Sequence, residues 1–339
     1  MGARGQVRIE TLVSEALRDN PLGDPHERPL AVYLPPGYET SGERYPVVYV
    51  LAPYTGTGLD LLQGSAWSPG LAERLDRLIG EQHMAPVIAV IPHVFTRLGG
   101  SQYLNSPAVG RYEDYIAAEV IPYVDAAFRT HAHPRARAVT GRSSGGYGAL
   151  RLAMRRPQLF AAVACHSPDC YFEYAYKPSL PRAYEVLRRR GGVKAFLASF
   201  NCCGEKKSDS DIETLSVLAM AAAYSPSASA PLGFELPFHE ETGELRGDVW
   251  EKWLENDLVV LVEKHAGTLS SLRLLFLDCG NRDEYHLQIG TRILSKKLHQ
   301  LGIPHRYDEY DDTHRSTSYR FNVSLPLLAT AIRQLRNAP

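Results

Sequence analysis

The chain has 339 residues, 44% of them apolar and 22% charged, with 37 Lys and Arg against 38 Asp and Glu. That length can bury one large α/β core with an insertion, or two smaller domains, and the make-up is that of an ordinary globular protein. A net charge of −1, with no long basic block or basic-aromatic stripe, excludes nucleic acid and anionic membrane as expected partners. The stretch from Met1 to Arg8 lacks the apolar core of a signal peptide, Gln6 replaces the Ser or Thr of a myristoylation motif, and no apolar run approaches a membrane span. Five cysteines, Cys165, Cys170, Cys202, Cys203 and Cys279, are odd in number and lack paired C-x-x-C spacing, which predicts reduced thiols in a cytoplasmic protein. The adjacent Cys202-Cys203 reads as an incidental pair rather than a redox couple, because neighbouring cysteines bridge poorly.

In chain order, Val7 to Val13 and Leu30 to Leu34 read as an antiparallel edge hairpin around the turn-rich Asn20 to Pro25. Pro46 to Ala52 is a β-branched and aromatic run of the kind found in strands buried on both faces. Helical spacing follows at Leu71, Leu75, Leu78 and Ile79, then a second buried strand from Val87 to Ile91. Ile116, Val120, Tyr123 and Ala127 mark a helix kinked at Pro122. A strand and helix flank Ser143, and Phe160 to Cys165 forms the next strand. Strands alternating with helices imply a mostly parallel sheet flanked by helices.

From Pro168 to Gly267 the alternation breaks into helical stretches at Tyr184 to Leu187, Val193 to Phe200, Ile212 to Tyr224 and Val249 to Val262, with a hairpin near Thr242-Gly243. About a hundred residues is too long for an unstructured connection, so residues 168–267 are expected to be a largely helical cap inserted into a core made of 1–167 and 268–339. Its aromatics, Tyr171, Phe172, Tyr174, Tyr176, Trp250 and Trp253, form either an acyl or aryl pocket or the cap's own core. Alternation resumes with a strand from Leu272 to Asp278, a helix marked by Leu287, Leu294, Leu298 and Leu301, and a strand from His305 to Tyr310. A terminal helix marked by Leu325, Leu328, Ile332 and Leu335 closes the chain.

The stretch from Ala138 to Leu150 carries the chemistry. It reads as strand, sharp turn, helix around Gly141-Arg142-Ser143-Ser144-Gly145. A turn that exposes its central residue in a strained conformation needs nearly side-chain-free positions two before and two after it. Gly141 and Gly145 meet that demand for Ser143. Ser144, the alternative nucleophile, would need a glycine where Arg142 stands. A serine hydroxyl needs a base and an orienting acid behind that base. His314 directly follows the last strand and lies downstream of every plausible acid, whereas His286 is too near the acid loop and His166 fits the chain order Ser, acid, His badly. In the loop from Cys279 to Glu284, Asp283 is the expected acid, with Glu284 as fallback and Asp278 assigned to the strand. The expected oxyanion donors are the amide of Ser144 and the amide of Tyr54, because Pro53 has none. The competing reading of Ala52 to Gly58 is a flexible Gly-Thr turn.

With these residues assembled, the chain resembles the "Putative esterase" family of α/β-hydrolases, which takes in esterase D (S-formylglutathione hydrolase), feruloyl esterases, enterochelin-esterase-like proteins and mycolyltransferases. Tyr45 to Gly58, Gly100 to Tyr115, Thr140 to Pro157 and Asp278 to His314 carry the likeness. The resemblance implies an α/β-hydrolase fold, a triad on Ser143, Asp283 and His314, and an oxyanion hole at Tyr54 and Ser144. Many members carry His-Gly where this chain has Ala52-Pro53, and the long cap is a further departure. The expected function is a serine carboxylic-ester hydrolase working through an acyl-enzyme on a small-molecule ester. The alternatives are a thioesterase of the S-formylglutathione hydrolase type and a non-catalytic scaffold binding a partner through its cap. No cofactor or metal is expected, because no His/Asp/Glu cluster has ligand spacing. The sequence leaves the oligomeric state open, a homodimer included.

Overall fold

The computed structural model describes residues 4–201 and 206–333; Cys202-Cys203 and Leu335 lie outside the described residues. Eight strands make the central sheet: β1 Gln6–Val13, β2 Glu27–Leu34, β3 Val47–Leu51, β4 Ile88–Pro92, β5 Arg137–Arg142, β6 Ala162–His166, β7 Leu274–Gly280 and β8 Arg306–Tyr310. Their spatial order is β1-β2-β4-β3-β5-β6-β7-β8. The first two form the expected hairpin, with Gln6 opposite Leu34 and Val13 opposite Glu27. β2 is also antiparallel to β4, and every later pairing is parallel.

Ten helices are used below: α1 Leu71–Gly80, α2 Ile121–Ala127, α3 Ser144–Arg155, α4 Leu180–Arg189, α5 Val193–Phe200, α6 Asp209–Tyr224, α7 Gly247–Leu254, α8 Leu258–Lys264, α9 Leu287–Gln300 and α10 Phe321–Ile332. The period-two geometry of the strands divides the apolar residues between two layers. Val48, Val50, Ala138, Ala162, Ala164 and Phe276 face α1 and α10 on one side. Their neighbours Val47, Tyr49, Leu51, Val139, Val163 and Leu277 face α2, α3 and α9 on the other. Because both faces are covered, β3 and β4 are buried at every residue, as continuous apolar runs require.

α4 to α8 lie between β6 and β7, and Leu187, Phe196, Leu218, Trp253 and Val262 continue the layer on the α3 side. The single helix expected over Val249 to Val262 is two, α7 and α8. Asp257 stands between them as the N-cap of α8, accepting the Val259 amide, and such a cap fixes a helix start. The kink expected at Pro122 is also different in form. Residues Tyr115–Val120 are π-helical and α2 starts at Ile121, so Pro122 falls in a first turn where its missing N–H costs little. Since β3, β5, β6, β7 and β8 run the same way, the loops that follow them gather along one edge of the sheet. That edge is where sites form in such folds.

Candidate active site

Ser143 occupies the turn between β5 and α3 at φ 57 and ψ −125, a left-handed backbone that a non-glycine residue adopts only when its surroundings enforce it. Its N–H donates to His166 O at 2.9 Å and its carbonyl accepts from Tyr147 N at 2.9 Å. The flanking glycines have a steric origin. A Cβ on Gly141 would lie 2.4 Å from Gly145 C and O, and one on Gly145 would lie 2.3 Å from Leu51 O. The Ser143 side chain is half-buried, whereas Ser144 is fully buried and its hydroxyl has no partner.

The loops after β7 and β8 bring Asp283 and His314 together, with Asp283 Oδ2 and His314 Nδ1 2.7 Å apart. Gly280 permits this approach, because a Cβ there would meet Asp312 O at 2.5 Å and Thr313 O at 2.7 Å. Asp283 Oδ1 accepts the Tyr285 amide at 3.0 Å, and the Tyr285 ring stands edge-on to the His314 imidazole at 4.9 Å between centroids. Glu284, the fallback acid, contacts His314 through the backbone instead, accepting its N–H at 2.8 Å. Arg142 donates to His314 O at 3.2 Å, which ties the histidine loop to the residue before Ser143. The remaining histidine candidates are placed elsewhere. His166 is buried between Asp278 at 2.7 Å and Ser324 at 2.8 Å, and His286 precedes α9.

Tyr54 lies in the loop after β3. Its hydroxyl donates to Leu98 O at 2.6 Å and its carbonyl accepts from Gly100 N at 2.9 Å. Gly99 and Gly100 make room for it, since a Cβ on Gly99 would meet the Tyr54 ring at 2.6 Å. The loop is thus pinned at both ends of this residue rather than loose. Among the described residues, neither the Tyr54 amide nor the Ser144 amide has a hydrogen-bond acceptor. A cleft of about 320 Å³ opens beside this loop, lined by Pro53, Gly56, Thr57, Arg74 and Arg142 among others.

The sequence profile of the "Putative esterase" family matches residues 25–327. The chain belongs to that family. Within curated relatives, Esterase Rv1288 of Mycobacterium tuberculosis (strain ATCC 25618 / H37Rv) is 36% identical over 141 residues, which are 40% of this chain and 28% of that protein. The matched stretch therefore spans little more than a quarter of the relative. Among solved structures, a ferulic acid esterase aligns over 98% of this chain and 99% of its own at 20% identity and a TM-score of 0.63. An S-formylglutathione hydrolase from Agrobacterium tumefaciens aligns over 98% and 97% at 17% identity and a TM-score of 0.62. At these identities the likeness is one of fold, and it is the α/β-hydrolase fold expected for this family.

One residue at the site was not singled out from the sequence. Asp169, in the loop after β6, accepts the Ser143 hydroxyl on Oδ1 at 3.2 Å and the Tyr176 hydroxyl on Oδ2 at 2.7 Å. Burial pushes its pKa up, opposed by the Tyr176 hydroxyl and by the nearby His314 imidazole. The signal available was topological: Asp169 follows a parallel strand on the edge that also holds Ser143, Asp283 and His314. Of the aromatics between β6 and β7, Phe172, Trp250 and Trp253 are buried in the α3-side core. Trp253 Nε1 donates to Ser225 Oγ at 3.0 Å. Tyr176 alone among the six bonds to a carboxylate beside Ser143.

Proposed function

We propose that the chain is a serine carboxylic-ester hydrolase with Ser143 as nucleophile, His314 as base and Asp283 as orienting acid. The observation that carries this reading is the buried Asp283–His314 pair at 2.7 Å on the edge where a strained turn presents Ser143. In the structure the hydroxyl bonds to Asp169, and it must leave that contact for His314 before it reacts. Oγ then attacks the ester carbonyl while His314 takes its proton, and Asp283 holds the tautomer and stabilises the imidazolium. The Tyr54 and Ser144 amides, which have no acceptor of their own, receive the oxyanion. His314 returns the proton to the leaving oxygen, and water attacks the acyl-enzyme by the same route.

Residues 168–267 act in this reading as a cap on the core formed by 1–167 and 268–339, contributing Asp169 and Tyr176 to the site. The unbridged, buried thiols of Cys165, Cys170 and Cys279 support a reducing compartment such as the cytoplasm. No helix among the described residues is long and apolar enough to cross a membrane. The test is hydrolysis of p-nitrophenyl esters from acetate to long acyl chains, with a thioester of matching acyl group alongside and Ser143→Ala as control. Turnover that vanishes in the variant supports the reading, and a thioester rate above the ester rate moves the assignment to a thioesterase. A folded protein without turnover of either class removes it in favour of a binding scaffold.

A further inference from the structure

Asp169 is 7% exposed, and each of its carboxylate oxygens holds one donor, Ser143 Oγ on Oδ1 and Tyr176 Oη on Oδ2. Asp169 bears on catalysis on the reading that Ser143 is the nucleophile. Acylation forms a bond from Oγ to the acyl carbon and breaks the bond from that carbon to the leaving oxygen. The Oγ proton passes to His314 and on to the departing alcohol. Ser143 gives up its contact with Oδ1 when its hydroxyl turns to His314, and once acylated it has no proton to donate, so Oδ1 of a buried carboxylate faces the acyl group without its serine donor. Gln102 also acts on Asp169 as a hydrogen-bond donor, but its Nε2 is shared with Tyr176 Oη at 3.3 Å and Met220 Sδ at 2.8 Å. A buried acceptor stripped of its donor costs more than an ordinary hydrogen bond gains, and more still when the acceptor is charged.

We propose that the acyl group supplies the missing donor, so that Asp169 selects esters whose acyl chain carries a hydroxyl or ammonium on the first or second carbon beyond the carbonyl. Reach follows from covalent geometry. Such a group is three or four bonds from Oγ, about 3–4 Å away, and Asp169 Oδ1 lies 3.2 Å from Oγ, so both fall in the same small space around the serine. The leaving alcohol can serve only until it departs, so the acyl group alone offers a donor in both acylation and deacylation, and an ethyl leaving group offers none in either. A carboxylate on the acyl chain is disfavoured by charge repulsion in a poorly hydrated place. Burial raises the pKa of Asp169, and the hydrogen bonds of Tyr176, Ser143 and Gln102 and the nearby His314 oppose that rise, so the carboxylate depends on its donors to stay charged.

The test compares kcat/KM for ethyl glycolate and glycine ethyl ester with that for ethyl acetate, each divided by the ester's own hydroxide-catalysed rate. The whole chain is used, as wild type, Asp169→Ala and Tyr176→Phe. Wild type favours the donor-bearing ester by about 5- to 150-fold. Asp169→Ala brings the ratio toward one, while Tyr176→Phe, which leaves Oδ1 and its partner in place, keeps it. Glycolate ahead of the glycine ester identifies a hydroxyl as the donor, and the reverse identifies an ammonium. A wild-type ratio near one, or a ratio untouched in Asp169→Ala, overturns the inference while fluorophosphonate labelling of Ser143 still upholds the hydrolase reading. Loss of both labelling and turnover in folded wild type overturns the two together. If Asp169→Ala does not fold, the wild-type ratio decides.

Discussion

Replacing Gly141 by alanine places a methyl carbon 2.4 Å from Gly145 C and O and 2.9 Å from Gly145 Cα. These are backbone atoms, and Gly145 has little room of its own: a Cβ on it would lie 2.3 Å from Leu51 O and 2.8 Å from Ala52 O. Ordinary carbon contacts lie near 3.5 Å, so the first turn of α3 must retreat by about 1 Å. Overpacking of this kind costs about 1–3 kcal/mol, which lowers Tm by a few degrees. The kinetic effect is larger than the loss of stability suggests. Ser143 sits between the two glycines, and a displacement of about 1 Å at a reacting atom costs roughly 10²-fold in rate. The assay is the second-order rate of fluorophosphonate labelling in the folded range, set beside a thermal melt. Gly80→Ala is the control, since nothing lies within 4 Å of an added Cβ at the end of α1; it keeps the labelling rate and gains about 0.5–1 kcal/mol. Gly141→Ala labelling at the wild-type rate with an unchanged melt refutes the steric account of the turn.

Asp283→Asn keeps the size of the side chain but removes the charge facing His314 Nδ1, so kcat for p-nitrophenyl acetate falls by about 10²–10⁴-fold while the melt moves little; a loss below tenfold argues against Asp283 as the orienting acid. Asp257 accepts amides from Tyr171, Phe172 and Val259 at 3.0, 2.7 and 3.0 Å, and burial nevertheless raises its pKa to about 6 from 3.8. Between those values the folded chain holds a proton that the unfolded chain has released, so this group's contribution to stability falls as pH rises and is lowest above the folded value. Chemical denaturation from about pH 5 to about pH 7.5 should therefore cost wild type about 1–3 kcal/mol more than Asp257→Asn, and equal slopes reject that assignment. Trp253→Ala opens the fully buried core and destabilises by about 3–5 kcal/mol without shifting the ester chain-length preference; a shifted preference would restore the acyl-pocket reading of these aromatics.

Much of the fold was legible because its cues are local. The continuous runs at Pro46 to Ala52 and Val87 to Ile91, the Gly-x-Ser-x-Gly turn and the resumption of alternation at Leu272 each report their own backbone. The pairing of Asp283 with His314 was legible through chain order, since parallel strands deliver their following loops to one edge. Two helical features were not. Asp257 breaks the run from Val249 to Val262 by capping α8, and the apolar pattern is blind to a single polar residue that turns inward. The π-helical turn before Pro122 keeps the spacing of its apolar residues close to that of an α-helix, so the pattern could not tell it from a kink. Asp169 escaped for a different reason. A search for Ser, acid and His in order stops when three positions are filled, and the contacts of Asp169 with Ser143 and Tyr176 depend on side-chain directions that spacing does not encode. Gly280 and Gly99 likewise look like loop residues until the His314 loop and the Tyr54 ring are seen against them.

The most direct test of the account is to react the protein with a fluorophosphonate and map the adduct by peptide mass spectrometry, in wild type, Ser143→Ala and Ser144→Ala. A single adduct on Ser143, absent from Ser143→Ala and retained in Ser144→Ala, is the predicted result. An adduct on Ser144, or none in a folded wild-type chain, contradicts the assignment of Ser143 as nucleophile.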